Sequence, residues 1–142
     1  MNILDTLRIS ASGLTAQRVR LQAISSNMAN ARSTRSTEEG TPYRRQMPVF
    51  QAVEANSFGS ELAQQLSRVE VVDVEKSQAP FRQVFDPGHP DADDDGYVLY
   101  PNVDILHEMV DLMNTSRTYE ANTNVTETTY KMANQALELG RG

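Results

Sequence analysis

The stretch Asn102–Gly142, NVDILHEMVDLMNTSRTYEANTNVTETTYKMANQALELGRG, decides the fold of this 142-residue chain. From Ile105 onward, steps of four and three residues alternate without a slip, as on one face of a helix that packs along another helix. The seam consists of Ile105, Met109, Leu112, Ser116, Tyr119, Thr123, Thr126, Tyr130, Ala133 and Leu137. Pro101 blocks helix on one side, Asn102 is a candidate N-cap and Gly140 a candidate end. We therefore predict a helix of roughly 37 residues and ~55 Å.

A second long helix is predicted over residues 2–30, where the same spacing recurs. Its seam consists of Ile3, Leu7, Ser10, Leu14, Gln17, Leu21, Ile24 and Met28. Two matching patterns joined by an insert predict that the terminal helices pair as an antiparallel coiled coil, with Leu14, Leu21 and Ile24 facing the final helix. Six large apolar seam residues at ~2 kcal/mol each give on the order of 12 kcal/mol. Because ordering such helices costs roughly 1.5 kcal/mol per residue, we expect the pair to need further partners.

Between the helices, residues 32–100 read as a loop followed by a small β-rich insert. The predicted strands are 43–53, Val69–Val74, Phe81–Phe85 and Tyr97–Tyr100. Pro48 places the first strand at an edge or bulge, and Val71–Val72 interrupts the alternation of the second as a bulge would. The predicted fold class is mainly α with a small β insert, divided into paired terminal helices (1–31 and 101–142) and the insert (32–100).

Composition excludes several classes of protein. The net charge is −6, divided as +4 over residues 1–50 (seven Arg, three acidic residues) and −10 over residues 51–142 (six basic, sixteen acidic). The basic half has no aromatic-rich basic patch, so nucleic-acid binding is not expected. There is no Cys, hence no disulfide or thiolate metal site. Neither a membrane span nor a cleaved secretory signal is expected from the apolar runs and the N-terminus.

The most distinctive local sequence is the loop DPGHPDADDDG, Asp86–Gly96. Four of its residues match positions 1, 3, 5 and 6 of a calcium-binding EF-hand loop, namely Asp91, Asp93, Asp95 and Gly96. The twelfth position is Asn102 rather than a bidentate Glu, which favours a structural turn without a metal. The residues assigned to that turn are Asp86, Pro87, Gly88, Asp91, Asp93 and Gly96. Its exposed carboxylates could pair with Arg44 and Arg45 of the basic half.

Catalysis has little support in the sequence. His89 and His107 stand in unrelated settings, and neither a nucleophile–base pair nor a Gly-rich phosphate loop is present. We therefore predict a protein that is not an enzyme and has no cofactor and no small-molecule substrate. Two readings of the residues remain open beside a structural protein: a soluble helical adaptor, and a calcium-dependent interaction module.

Four stretches of the sequence point to a known family: ISASGLTAQRVRLQAISSNMANARST (Ile9–Thr34), PYRRQMPVF (Pro42–Phe50), the stretch Asp86–Val125 and TTYKMANQALELGR (Thr128–Arg141). They resemble segments of bacterial flagellar basal-body rod and hook proteins, and this resemblance covers most of the chain. It implies a structural rod subunit that assembles helically with other rod proteins and further copies of itself, exported by the flagellar type III apparatus without a cleaved signal. It also implies a location in the basal body, in the rod that spans the periplasm. The expected assembly contacts are Ile3, Leu7, Leu14, Leu21, Ile24, Met28, Ile105, Met109, Leu112, Tyr119, Tyr130, Ala133 and Leu137.

Overall fold

The computed structural model describes residues 3–35, 40–54 and 67–140. In chain order the elements are α1 (Ile3–Ala29), β1 (Gln46–Glu54), β2 (Ser67–Lys76), β3 (Arg82–Phe85), β4 (Tyr97–Tyr100) and α2 (Ile105–Leu139). Two long terminal helices pack on each other, and a small antiparallel insert lies between them in the sequence, so the predicted fold class is confirmed. The ambiguous stretch 55–66 lies outside the described residues.

The two helices run antiparallel, side by side. Near the end of α1, Asn27 Nδ2 donates to Glu108 Oε2 over 3.1 Å. One end of the shared contact is therefore fixed at the start of α2. Fourteen residues earlier in α1, a Cβ added to Gly13 would lie 3.2 Å from Asn122 Nδ2, and Asn122 is fourteen residues after Glu108. The two contacts therefore share one antiparallel register, in which the residue numbers of facing positions on α1 and α2 add up to 135.

The face that α2 turns toward α1 differs from the predicted seam. Glu108 and Thr115 are buried, and Asn122, Thr126 and Thr129 are half-buried. The predicted positions that lie exposed are Ile105, Met109, Ser116, Tyr119, Thr123, Tyr130 and Leu137. The true contact stripe is thus rotated by about one residue. At Gly13, which has no side chain, α1 admits the polar side chain of Asn122 at close range.

The start of α2 also differs in detail from the sequence prediction. The N-cap is Asp104, whose carboxylate accepts from the backbone amides of Leu106 and His107, rather than Asn102. Asn102 instead joins segments of the insert: its Oδ1 accepts from Arg45 N over 2.9 Å, and its Nδ2 donates to Ala79 O over 3.1 Å. The helix ends before Gly140, as predicted.

The hairpin formed by β1 and β2 packs on α1, on another side from α2. Val69 N donates to Ser12 Oγ over 3.2 Å, and the guanidinium of Arg20 lies 5.9 Å from the ring centre of Phe50. The register shifts between Val49 and Phe50, whose partners are Asp73 and Val71, so that Val72 is the extra residue of a bulge. This confirms the predicted irregularity of the second strand. The result is three layers, with α1 between the hairpin and α2.

The second hairpin, of β3 and β4, pairs Arg82 with Tyr100 and Phe85 with Tyr97. Val98 on β4 is fully buried. Besides Pro42 and Pro101, the buried apolar residues of the described chain are few and mostly small: Ala16, Ala23, Ile24, Ala31, Tyr43 and Val98. Much of the order of this chain therefore depends on polar contacts.

Candidate functional site

A buried polar junction joins α1, the start of β1 and the start of α2. Its centre is Asn27, only 1% exposed. Asn27 Oδ1 accepts from Tyr43 Oη over 2.9 Å and from Gln46 N over 2.8 Å. Asn27 Nδ2 donates to Gln46 O over 3.0 Å and to Glu108 Oε2 over 3.1 Å. All four hydrogen-bonding positions of this amide are satisfied, which fixes three segments relative to one another.

The charge buried in this junction belongs to Glu108, whose side chain is 0% exposed. Arg45 Nε donates to Glu108 Oε1 over 2.6 Å, and Arg45 Nη2 lies 3.4 Å from Asp111 Oδ2. A buried carboxylate is tolerated only when it is paired and fully hydrogen-bonded. Arg45 and Asn27 meet both conditions, so they hold the start of α2 against the insert.

The hydroxyl of Tyr43 completes the junction. It lies 3.1 Å from Ser26 Oγ, and burial raises the pKa of Tyr43 above its usual 10.0. The negative charge of Glu108 raises that pKa further, while the hydrogen bond with Ser26 opposes the shift. The junction is therefore built for a neutral phenol.

The acidic loop, Asp86–Gly96, contains several hydrogen-bonded turns and is closed by a hydrogen bond from Asp86 N to Gly96 O. Asp93 Oδ1 accepts from the backbone amides of Asp95, over 3.1 Å, and Tyr97, over 2.7 Å. Gly96 adopts φ +80°, a conformation that favours glycine, and an added Cβ would lie 3.0 Å from the ring of Phe85. Asp93 is thus directed at backbone amides of its own turn.

Asp91 of the same turn is held by the loop that follows α1. Its carboxylate accepts from Thr34 Oγ1 over 2.6 Å and pairs with Arg35 Nε at 2.5 Å. Further hydrogen bonds of the turn include those from Gly96 N to Asp93 O and from Asp91 N to His89 Nδ1. Over residues 3–35, 40–54 and 67–140, no group of three or more His, Asp or Glu side chains is arranged to hold a metal ion.

A broad apolar surface on α2 is open to solvent. We call it the α2 outer face. It contains Ile105, Leu106, Met109, Val110, Met113, Tyr119, Val125, Tyr130, Met132, Leu137 and Leu139. Leu106 is 72% exposed, Met113 58% and Leu139 85%. Five of these residues lie within Ile105–Met113, and clustered exposed apolar side chains mark sites of association.

The predicted assembly residues divide between this face and the interior of the chain. The exposed ones are Ile3, Ile105, Met109, Tyr119, Tyr130 and Leu137. The half-buried ones are Leu7, Leu14, Leu21, Met28, Leu112 and Ala133, and Ile24 is buried. The exposed group is brought together mainly along α2. Their role as assembly contacts stays a prediction.

Sequence reasoning missed the polar junction. Asn27 and Glu108 are 81 positions apart, and their hydrogen bond depends on the antiparallel register. The available signal was a polar pair, Ser26–Asn27, beside the apolar positions Ile24 and Met28 near the end of a helix. Within the described ranges, no helix is long and apolar enough to cross a membrane.

Comparison with known proteins gives a consistent family. Residues 7–34 match the family described as flagella basal body rod protein, and residues 94–139 match the flagellar basal body rod FlgEFG protein C-terminal family. The flagellar basal-body rod protein FlgC of Bacillus subtilis is 43% identical, with 99% of this chain and 100% of that protein aligned. FlgC of Escherichia coli O6:H1 is 43% identical, again with 99% of this chain and 100% of that protein aligned. FlgC of Borreliella burgdorferi is 38% identical, with the full length of both proteins aligned. The chain belongs to the FlgC family of flagellar basal-body rod proteins.

Proposed function

We propose that this structural subunit of the flagellar rod assembles with further copies of itself and with other rod proteins through the α2 outer face. The observation that carries the proposal is that face itself. α2 is 35 residues long, or roughly 52 Å, yet among the helices and strands that the structure describes it contacts only α1. An apolar surface left open by the fold along such a length needs neighbours to cover it.

The finer features of the proposal concern location and route. We place the protein in the rod that spans the periplasm, exported unfolded by the flagellar type III apparatus without a cleaved signal. The few buried apolar residues support this route, because a chain with a small core is readily kept unfolded. We also propose that the protein has no catalytic activity, in keeping with a structural role.

The test is complementation of a strain that lacks its own copy of the gene. Leu106→Lys combined with Met113→Lys places two charges on the α2 outer face, seven residues apart on one stripe. We expect this variant to be exported but absent from isolated basal bodies, with loss of swimming on soft agar.

The control is Gln22→Lys, a charge added at an exposed polar position of α1, away from the α2 outer face. It should swim normally and enter basal bodies. Normal incorporation of the Leu106→Lys, Met113→Lys variant would contradict the assignment of the α2 outer face as the assembly surface.

A further inference from the structure

Two arginines line an open cleft beside the start of α2. The cleft measures about 510 Å³ and is bordered by Arg32, Arg82, Asn102, Asp104 and Ile105, among others. Arg32 and Arg82 are exposed, and neither forms an ion pair with any described residue. The guanidinium of Arg82 lies 5.6 Å from the ring centre of Tyr100, and such stacking restrains an exposed arginine. The Asp104 carboxylate is engaged by the amides of α2, so the cleft offers cationic donors that suit a carboxylate.

Two exposed carboxylates project from the acidic turn. Asp94 and Asp95 are exposed, and their carboxylates accept no hydrogen bond and form no ion pair within the described parts of the chain. They differ in this from Asp91 and Asp93, which are engaged by Arg35 and by backbone amides. The turn that presents them is fixed by its hydrogen bonds and by Gly96.

The cleft and the acidic turn lie at opposite ends of the β3–β4 hairpin. Arg82 pairs with Tyr100 at one end, and Phe85 pairs with Tyr97 at the other. Three residues of strand separate the ends by ~10 Å, and Asp94 and Asp95 lie beyond Tyr97. The two charged groups are therefore held apart within one chain.

We propose that the Asp94–Asp95 turn of one copy docks into the Arg32–Arg82 cleft of the next copy. This inference rests on the proposed function and deepens it by naming a contact between copies. The two surfaces differ, so the contact is head-to-tail, and a head-to-tail contact that does not close generates a helical array. Arg44 and Arg45, the partners that the sequence predicts for these carboxylates, are engaged within the chain by Phe81 and Glu108.

Because the chain has no Cys, engineered thiols test the contact cleanly. Val103→Cys lies in the cleft and Ala92→Cys lies beside the acidic turn, and both leave the four charged residues in place. The two variants are co-expressed in a strain lacking its own copy, and isolated basal bodies are treated with a short bis-maleimide. We expect a dimer at twice the 15.8 kDa chain mass only when both variants are present. The control pair is Ala92→Cys with Ala11→Cys, on the exposed face of α1, and should give no dimer.

Three results would overturn the docking contact: no dimer, a dimer from Val103→Cys alone, or a product of Ala92→Cys with a protein of another mass. If a Cys variant fails to enter basal bodies, charge exchange decides instead. Arg82→Glu and Asp94→Arg should each lower swimming, and the doubly exchanged chain should recover at least half of the loss. Absence of recovery refutes the contact. The wild-type chain is examined in parallel, because its absence from basal bodies would reject the proposed function itself.

Discussion

Asn27→Ala should destabilise the protein more than the removal of one small side chain suggests. The substitution removes three hydrogen bonds to Tyr43 and Gln46 and one to the Glu108 carboxylate. At about 1 kcal/mol for each neutral bond and about 1.5–3 kcal/mol for the charged one, the sum is about 4.5–6 kcal/mol. A groove of about 340 Å³ borders Asn27, so water replaces part of the loss. We expect the free energy of unfolding to fall by about 3–5 kcal/mol, a large share of the stability of a small domain.

The assay is urea unfolding followed by circular dichroism at 222 nm, on the wild type and on two variants. The control is Asn124→Ala, at an exposed position of α2, which should remain within about 0.5 kcal/mol of wild type. A loss below 1 kcal/mol for Asn27→Ala would refute the reasoning, because it would mean that water satisfies Tyr43, Gln46 and Glu108 as well as the amide does.

Three further outcomes are expected. Gly96→Ala should lower the free energy of unfolding by about 1–2 kcal/mol, since a side chain is strained at φ +80° and would press on Phe85. Thermal unfolding measures this loss. The control is Gly88→Ala, whose added Cβ would lie 3.7 Å from a carboxylate oxygen of Asp86. Tyr43→Phe should make the stability less sensitive to alkaline pH. In the wild type, the raised pKa of Tyr43 gives a stabilisation that is complete below pH 10 and lost as pH rises through that pKa. If the two proteins differ in free energy of unfolding by the same amount below and above pH 10, this prediction is wrong. Deletion of residues 132–142 should abolish swimming on soft agar while the chain still reaches the culture medium of a strain lacking the downstream rod; swimming by the truncated protein would show that this end is dispensable.

The helices and strands could be predicted from local pattern because each has a strong local cause. Pro101 and Gly140 bound α2, and the doubled Val71–Val72 marks the bulge that the pairing of β1 and β2 shows. The N-cap could not be chosen correctly between Asn102 and Asp104 from residue type, since both side chains are good caps. Tertiary contacts select Asp104, because the side chain of Asn102 is hydrogen-bonded to Arg45 N and to the carbonyl of Ala79.

The polar junction could not be predicted for a different reason. The pairing of Asn27 with Glu108 joins residues 81 positions apart. It arises only once the register of the two helices is fixed, and that register depends on contacts such as Gly13 with Asn122. A polar residue on a predicted helix is normally assigned to solvent, so its burial has no local signature.

Under the proposed function, α2 serves two kinds of contact, one with α1 and one with a neighbouring subunit, and this accounts for its rotated seam. Apolar spacing along a helix indicates which surfaces are buried, and it is the same whether the covering residues belong to the same chain or to a neighbour. In α2 the contact with α1 is made by Glu108, Thr115 and other polar or small side chains, while Leu106 and Met113 remain open. At ~1.5–3 kcal/mol for each large apolar side chain fully buried, most of the hydrophobic free energy of α2 is gained only when a neighbour covers it. Under the proposed function, hydrogen bonds hold much of the chain together before assembly, and apolar contacts along α2 are added on assembly. The sequence therefore predicts that α2 has apolar neighbours, and only the fold distinguishes those within the chain from those beyond it.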